Sequence, residues 1–239
     1  MIRTLPFIRQ PLFFIRALWL GTRSECERSA GRYESADRLV RKSLELAARA
    51  TSPDSMIRVR LLNTLGMICK HRGDFKEGAR AYLRALRIAR RRTDPEHDTL
   101  AVLYHNLAGL QHARGHFLQA EPLARKGIAL REAALGRAHP DVARDLAAFA
   151  AILDGQHRHD EAEAMHRRAL EVFEQHFGHS HAEIAYTLAN LAACLSLQGR
   201  AAEAEPLMLR ALEMQKRFFG PLHPEVLLTQ SNLAVIQSA

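Results

Sequence analysis

Thirteen histidines in a chain of 239 residues invite a metal reading first, because imidazole is a common ligand for zinc and other transition ions. The densest groups are His176, His179 and His181, and the pair His157 and His159. A helical zinc site sets ligands four residues apart, as in His-Glu-x-x-His, with a third brought from elsewhere, and that motif does not occur. His181 belongs instead to a series with His97, His139 and His223, each 42 residues from the next. A histidine that recurs once per period reads as a repeated loop cap, so no metal and no other cofactor is expected.

Carboxylate pairs are the next candidates. Glu161 with Glu163, and Glu203 with Glu205, stand two apart on what reads as helix, where side chains diverge rather than meet. Near a helix N-terminus such acids are favoured by the dipole and read as a charged outer face. The sequence has no Gly-x-Ser-x-Gly elbow, no phosphate-binding glycine loop and no strand pattern to mount one. Cys26, Cys69 and Cys194 are too few and too widely spaced for a disulfide framework or a zinc knuckle, which points to a reducing compartment and a cytoplasmic protein. The chain reads as a non-enzyme.

The elements behind these residues follow from composition and period. With 47% apolar, 25% charged and only 6% aromatic residues, rich in Ala, Leu, Arg and Glu, the chain is a folded helix former. Periods of 20–50 residues signal stacked repeats, and here the period is 42. Gly31, Gly73, Gly115 and Gly199 keep it, with His157 in the one slot that breaks the series. Gly136, Gly178 and Gly220 keep it too, as do Gly66, Ala108, Ala150, Ala192 and Ala234.

Around each glycine turn the apolar residues fall at helical spacing. First helices are expected at 56–72, 97–114, 139–156, 181–198 and 223–238, with Leu62, Leu65 and Ile68 and their later copies inward. Second helices are expected at 32–50, 74–92, 116–134, 158–176 and 200–218, with inward stripes Leu123, Ile128, Leu130; Met165, Leu170, Val172; and Leu207, Leu212, Met214. One such pair cannot bury its own stripe, and stacked neighbours supply the missing surface. The fold class is all-α, a solenoid of antiparallel helix pairs over 31–239 with its last repeat truncated, preceded by a degenerate helix or leader at 1–30.

Asn-Leu-Ala at 106–108, 190–192 and 232–234, the Glu-Ala-Glu segments and the closing Gly-x-x-His carry a resemblance. The chain resembles tetratricopeptide repeats of the kinesin-light-chain type over about residues 31–239. The resemblance implies a right-handed superhelical solenoid whose first helices line a concave groove that receives peptides from partner proteins, and no catalysis. Ala148 and Thr64 replace Asn, and His157 replaces the turn glycine, so the polar ladder is interrupted.

The resemblance places the column Thr64, Asn106, Ala148, Asn190 and Asn232 on the groove wall, where side-chain amides offer a donor and an acceptor to the backbone of an extended peptide. Arg60, Asn63, Met67 and Lys70 line the first wall, then His105 and His112, then Arg144, then Tyr186. Arg60 and Lys70 make the front basic, which suits an acidic peptide or a C-terminal carboxylate. The expected function is a protein–protein interaction scaffold. The second reading is a sensor or assembly segment of a larger regulatory protein.

Charge agrees with a basic front: residues 1–94 hold 21 Lys/Arg against 9 Asp/Glu, and 95–239 hold 13 against 17. The densest point, Arg90 to Arg92, reads as a solvated helix end, since cations suit a helix C-terminus, and no aromatic is interleaved for base stacking. Nucleic acid is not an expected partner. Arg16 breaks the only apolar run of the N-terminus, so neither a secretory signal nor a membrane span is expected there. At the other end the period calls for a second helix after Ala239. Self-association of the uncapped last helix through Val226, Leu227 and Val235, or origin of the chain as a fragment of a longer one, is therefore expected.

Overall fold

Gly31, Gly73, Gly115 and Gly199 all hold positive φ, between 71° and 79°, a region open to glycine and costly to other residues. Each closes the same turn. At Gly73 the Asp74 N–H donates to Cys69 O at 2.8 Å and Gly73 N–H to Lys70 O at 3.2 Å, which satisfies the last carbonyls of the helix before it. His157 makes the identical turn, with Arg158 N–H on Leu153 O at 3.0 Å, and is the one non-glycine residue with positive φ among those described. A β-carbon in this region costs about 1–2 kcal/mol, offset in part by the greater freedom of an unfolded glycine. His157→Gly is therefore expected to stabilise the protein by about 1 kcal/mol. Denaturant unfolding checks it, and an unchanged or lower midpoint would count against the strained turn.

The computed structural model describes residues 11–91 and 97–238, and forms two compact units, 1–116 and 117–239. Among the described residues there are eleven helices and no strand. The first unit holds α1 (Pro11–Ser29), α2 (Tyr33–Ala50), α3 (Met56–Arg72), α4 (Phe75–Arg90) and α5 (His97–Ala113). α1 pairs with α2 and α3 with α4, while α1, α3 and α5 lie side by side. The second unit holds α6 (Phe117–Leu135), α7 (Pro140–Asp154), α8 (His159–Phe177), α9 (Ala182–Leu197), α10 (Ala201–Phe219) and α11 (Pro224–Gln237). There α7 pairs with α8 and α9 with α10, and α7, α9 and α11 form the shared row.

The expected helix limits agree with these to within a few residues. Residues 1–10 of the basic leader and Arg92 lie outside the described residues. Residues 11–29 form a helix built like a repeat's first helix: Ala17, Leu20, Gly21 and Ser24 are buried, and Ser24 stands one period before Gly66. Its Oγ donates to Ala36 O at 2.8 Å, and Ser43 Oγ donates back to Ala17 O at 2.6 Å. No helix among the described residues is long and apolar enough to cross a membrane.

The first-helix stripes are inward as expected: Leu62, Leu65, Ile68, Tyr104, Leu107, Leu110, Leu146, Phe149, Ile152, Leu188, Leu191 and Cys194 are all buried. The second-helix stripes need correction. Val172, Leu212 and Met214 are buried, but Leu123, Ile128, Leu130, Met165, Leu170 and Leu207 are only half-buried. The deepest positions of these helices are Ala120, Ala162 and Ala204, then Gly127, Ala169 and Ala211, whose small side chains let the helices approach closely. Between them run two columns of changing character: Val40, Tyr82, Ala124, His166, Met208, and Ala47, Ala89, Arg131, Phe173, Gln215. All ten are buried, and the polar members hide the period from a hydrophobicity pattern.

In the second unit Leu146, Phe173, Ile184 and Leu188 anchor one core cluster. Leu191, Leu195, Met208 and Ile236 anchor the next. Val226 belongs to that second cluster and is fully buried, so it cannot serve a second copy as expected; Leu227 and Val235 are exposed.

Candidate functional site

The row of first helices in each unit carries the predicted binding residues. In the first unit Arg60 projects from α3 into solvent, while Asn63 and Lys70 on the same helix are half-buried. On α5, His105 and Asn106 are half-buried. The two amides meet: Asn106 Nδ2 donates to Asn63 Oδ1 at 2.8 Å, bridging α3 and α5. That bond uses one of two amide hydrogens on Asn106 and leaves its carbonyl oxygen for another donor. The Lys70 ammonium lies over Gly109 of α5, 3.3 Å from where a β-carbon there would stand, and burial lowers its pKa. Neither Arg60 nor Lys70 makes an ion pair among the described residues. Thr64, the Asn-column member in this repeat, is buried and turned to Glu25 and to Arg60 O. Beside it a cleft between α1 and α3 is lined by Leu18, Met56, Ile57, Arg60 and Asn63.

In the second unit the predicted residues divide. Asn190 on α9 is exposed and Asn232 on α11 is half-buried. Tyr186 is half-buried, with its ring 5.6 Å from that of Phe219 and its hydroxyl pKa raised by burial. Arg144 is different. It donates to Glu183 at 2.7 Å and also to Asp141, and these carboxylates raise its pKa, Glu183 foremost. Its charge is spent tying α7 to α9, which the sequence could not show because Glu183 lies 39 residues away.

The histidine column is structural in three of its members. Nδ1 of His139, His181 and His223 accepts the backbone N–H of Asp141, Glu183 and Glu225 at 3.1, 3.2 and 3.3 Å, capping α7, α9 and α11. His97, the fourth member, lies in α5. His176 and His181 both rest on the Phe177 ring, with centroids at 4.7 and 3.9 Å.

The Glu-Ala-Glu segments are more than a solvated face. Glu161 and Glu203 each take two hydrogen bonds from the arginine ahead of the helix, Arg158 and Arg200. Glu163 reaches onward to the following repeat, accepting from Gln198 at 3.2 Å and Arg200 at 2.6 Å. Glu121 does the same with Gln156 and Arg158, and its pKa falls to about 2 through bonds from Arg125, Gln156 and Arg158. One glutamate in each segment locks a turn and the other links repeats. Arg90 lies with its guanidinium 5.2 Å from the centre of the Tyr104 ring, a cation held on an aromatic face.

A further grouping was invisible in the sequence. Asp154, His159 and Cys194, from α7, α8 and α9, bring one ligand atom each to within 4.8 Å of one another. His159 Nδ1 is 3.0 Å from Asp154 Oδ1, and Cys194 Sγ donates to His159 O at 3.3 Å. Burial, with Asp154 adding to it, pushes the Cys194 thiol up to about 12. Beneath them lies His166, 1% exposed, with neither ring nitrogen hydrogen-bonded; Nε2 is 3.6 Å from Asp154 Oδ2. The pairing of His157 with His159 in the sequence does not reveal this group, because its members stand 5 to 40 residues apart.

Comparison with known proteins agrees with the repeat architecture. The family model described as tetratricopeptide repeat matches residues 15–91, 57–133, 100–175 and 182–239. The crystal structure of BtubC (BKLC) from P. vanneervenii is similar at TM-score 0.71 and 22% identity, covering 86% of this chain and 82% of that one. A putative kinesin light chain with nearly identical TPR-like repeats from Podosopora anserina is similar at TM-score 0.71 and 17% identity, covering 85% and 97%. Aspartyl phosphate phosphatase F from Bacillus subtilis is similar at TM-score 0.73 and 13% identity, covering 95% of this chain and 56% of that one. At these identities the likeness is one of fold. No curated protein matches by sequence.

Proposed function

Because the chain belongs to the tetratricopeptide repeat family, we propose that it is a non-catalytic scaffold that holds an extended peptide of a partner protein on the exposed face of its first helices. The observation that carries this reading is in the first unit. Two cations without ion pairs, Arg60 and Lys70, flank two bridged but unsaturated amides, Asn63 and Asn106, on one face of α3 and α5. An amide pair grips peptide backbone whatever its sequence, and the cations select acidic side chains or a C-terminal carboxylate. In the second unit Tyr186, Asn190 and Asn232 supply the same kind of contact on α9 and α11. Arg144, already neutralised, contributes shape rather than charge. Cytoplasmic residence suits a chain whose three cysteines are all free.

The test is affinity capture of binding proteins with wild type and with the triple variant Asn106→Ala, Asn190→Ala and Asn232→Ala, each first shown equally helical by circular dichroism. None of the three side chains is buried, so the fold should survive. Most partners should be lost together, because a backbone grip does not depend on ligand sequence. Retention of every partner by the triple variant would move binding off this face.

A further inference from the structure

One repeat carries metal-ligating side chains in four of its columns, and the four residues lie together. His159 stands where other repeats have Phe75, Phe117 and Ala201, and His166 where they have Tyr82, Ala124 and Met208. Cys194 replaces Leu110, Ile152 and Ile236, and Asp154 occupies the column of Lys70, His112, Ser196 and Ser238. His159, His166 and Cys194 each bring a metal-ligating side chain to a column whose other cited members are apolar, and Asp154 joins a polar column beside them. Independent drift would scatter such changes over the surface and the core; here they converge from α7, α8 and α9.

We propose that Asp154, His159, His166 and Cys194 form a binding site for a zinc-class divalent ion that ties α7, α8 and α9 together. One sulfur, two imidazole nitrogens and one carboxylate oxygen are a tetrahedral zinc donor set. Bond lengths of about 2.0–2.3 Å set ligand atoms roughly 3.3–3.6 Å apart around such an ion. The two imidazoles approach Asp154 at comparable distances, His159 Nδ1 3.0 Å from Oδ1 and His166 Nε2 3.6 Å from Oδ2, so one histidine stands at each oxygen of the carboxylate. Asp154, His159 and Cys194 hold their ligand atoms within 4.8 Å of one another, and His166 joins them at Asp154.

His166 is the independent witness. A buried imidazole with no hydrogen bond at either nitrogen is a cost to the fold, since burying such a group without a partner is unfavourable. An ion on Nε2 removes that cost. Charge also balances: the Asp154 carboxylate and a Cys194 thiolate cancel the two charges of the ion, and both imidazoles bind neutral. The thiol proton leaves to solvent. Asp154 disfavours a thiolate when alone beside it, but a bound cation reverses that local field and deprotonates a coordinating thiol. Gln198 Nε2 stands 3.6 Å from Cys194 Sγ and supports the thiolate from behind. Asp154 and His159 are part-exposed, which gives an ion a way in.

The array itself supplies the test variants. Cys194→Ile installs the residue of positions 152 and 236, and His166→Met that of 208. Untagged protein stripped with chelator is titrated with Zn²⁺ by calorimetry and with Co²⁺ by absorption. One equivalent is expected, Co²⁺ giving a thiolate charge-transfer band together with the intense visible bands of a tetrahedral site, and Zn²⁺ raising Tm. Cys194→Ile should remove the charge-transfer band, and His166→Met should weaken binding by about tenfold or more. Neither should lower the metal-free Tm. Should either variant fail to fold, His159→Gln at the exposed rim carries the same expectation of weakened binding. Absence of stoichiometric binding, a charge-transfer band that survives in Cys194→Ile, or His166→Met or His159→Gln binding as tightly as wild type would each overturn the site.

Discussion

Arg131→Met alone and Asp145→Leu alone are each expected to destabilise the protein by about 3–5 kcal/mol, while the double variant is expected to fold at least as stably as wild type. Arg131 Nε donates to Asp145 Oδ2 at 3.0 Å, and the two side chains are 8% and 4% exposed. Removing either partner breaks a buried ion pair and leaves the other charge in a desolvated place, which is the expensive case. Removing both exchanges a desolvated ion pair for apolar packing of similar volume, often neutral or stabilising by about 1–4 kcal/mol. The repeats show that the apolar solution fits: one period earlier the same two columns hold Ala89 and Leu103, both buried. Urea unfolding of the four proteins measures the coupling. If the single costs simply add in the double variant, the pair is not the reason these residues are there.

The second large effect is expected at Gly66. A β-carbon there would stand 2.5 Å from Cε1 and Cζ of the Tyr82 ring, closer than non-bonded carbons approach. Tyr82 is fully buried, so its ring has nowhere to move. Alanine in place of a helical glycine gains about 1 kcal/mol of helix propensity, but overpacking of a rigid core costs about 1–3 kcal/mol and more when nothing can yield. The clash should win, and Gly66→Ala should lower stability by about 1–3 kcal/mol. With Tyr82→Met, the residue of position 208, the obstacle is gone. In that background Gly66→Ala should be neutral or stabilising. The change of sign is the signature, and a Gly66→Ala that stabilises both backgrounds equally would contradict the packing described. Tyr82 adds a reason of its own, since its buried hydroxyl has no hydrogen-bond partner.

Both cases mark the boundary of what the sequence discloses. Gly31, Gly73, Gly115, Gly199 and even the exceptional His157 were readable because one local requirement, a left-handed residue in a tight turn, recurs at fixed spacing. The first-helix stripes were readable because Leu, Ile and Phe serve one purpose in every copy. Positions such as 82, 124, 166 and 208, or 89, 131, 173 and 215, are as buried as the stripes yet look irregular. Each is fitted to a partner on another helix: Tyr82 to Gly66, and Arg131 to Asp145.

The candidate binding face was legible to the same extent. Asn106, Asn190 and Asn232 are singled out by their repeated Asn-Leu-Ala setting, and Arg60 and Lys70 by charge and phase, as candidates. That Asn63 bonds Asn106, and that Arg144 is held by Asp141 and Glu183, depended on contacts between successive first helices. A 42-residue period predicts which residues become neighbours, but not which of them hydrogen-bond. Likewise, the sequence holds no His-Glu-x-x-His motif, and the grouping around Asp154 has no local spacing to betray it because it draws on three helices.

The proposed peptide grip is tested most directly by charge. Binding of a displayed library of extended peptides is compared between wild type, Arg60→Glu and Lys70→Glu, and the best acidic peptide is then titrated at increasing salt. Wild type should select acidic sequences, bind them less tightly as salt rises, and lose them chiefly through slower association in either variant. Peptide binding that shows no acidic preference, and that both charge-reversed variants retain at wild-type affinity, would contradict the account.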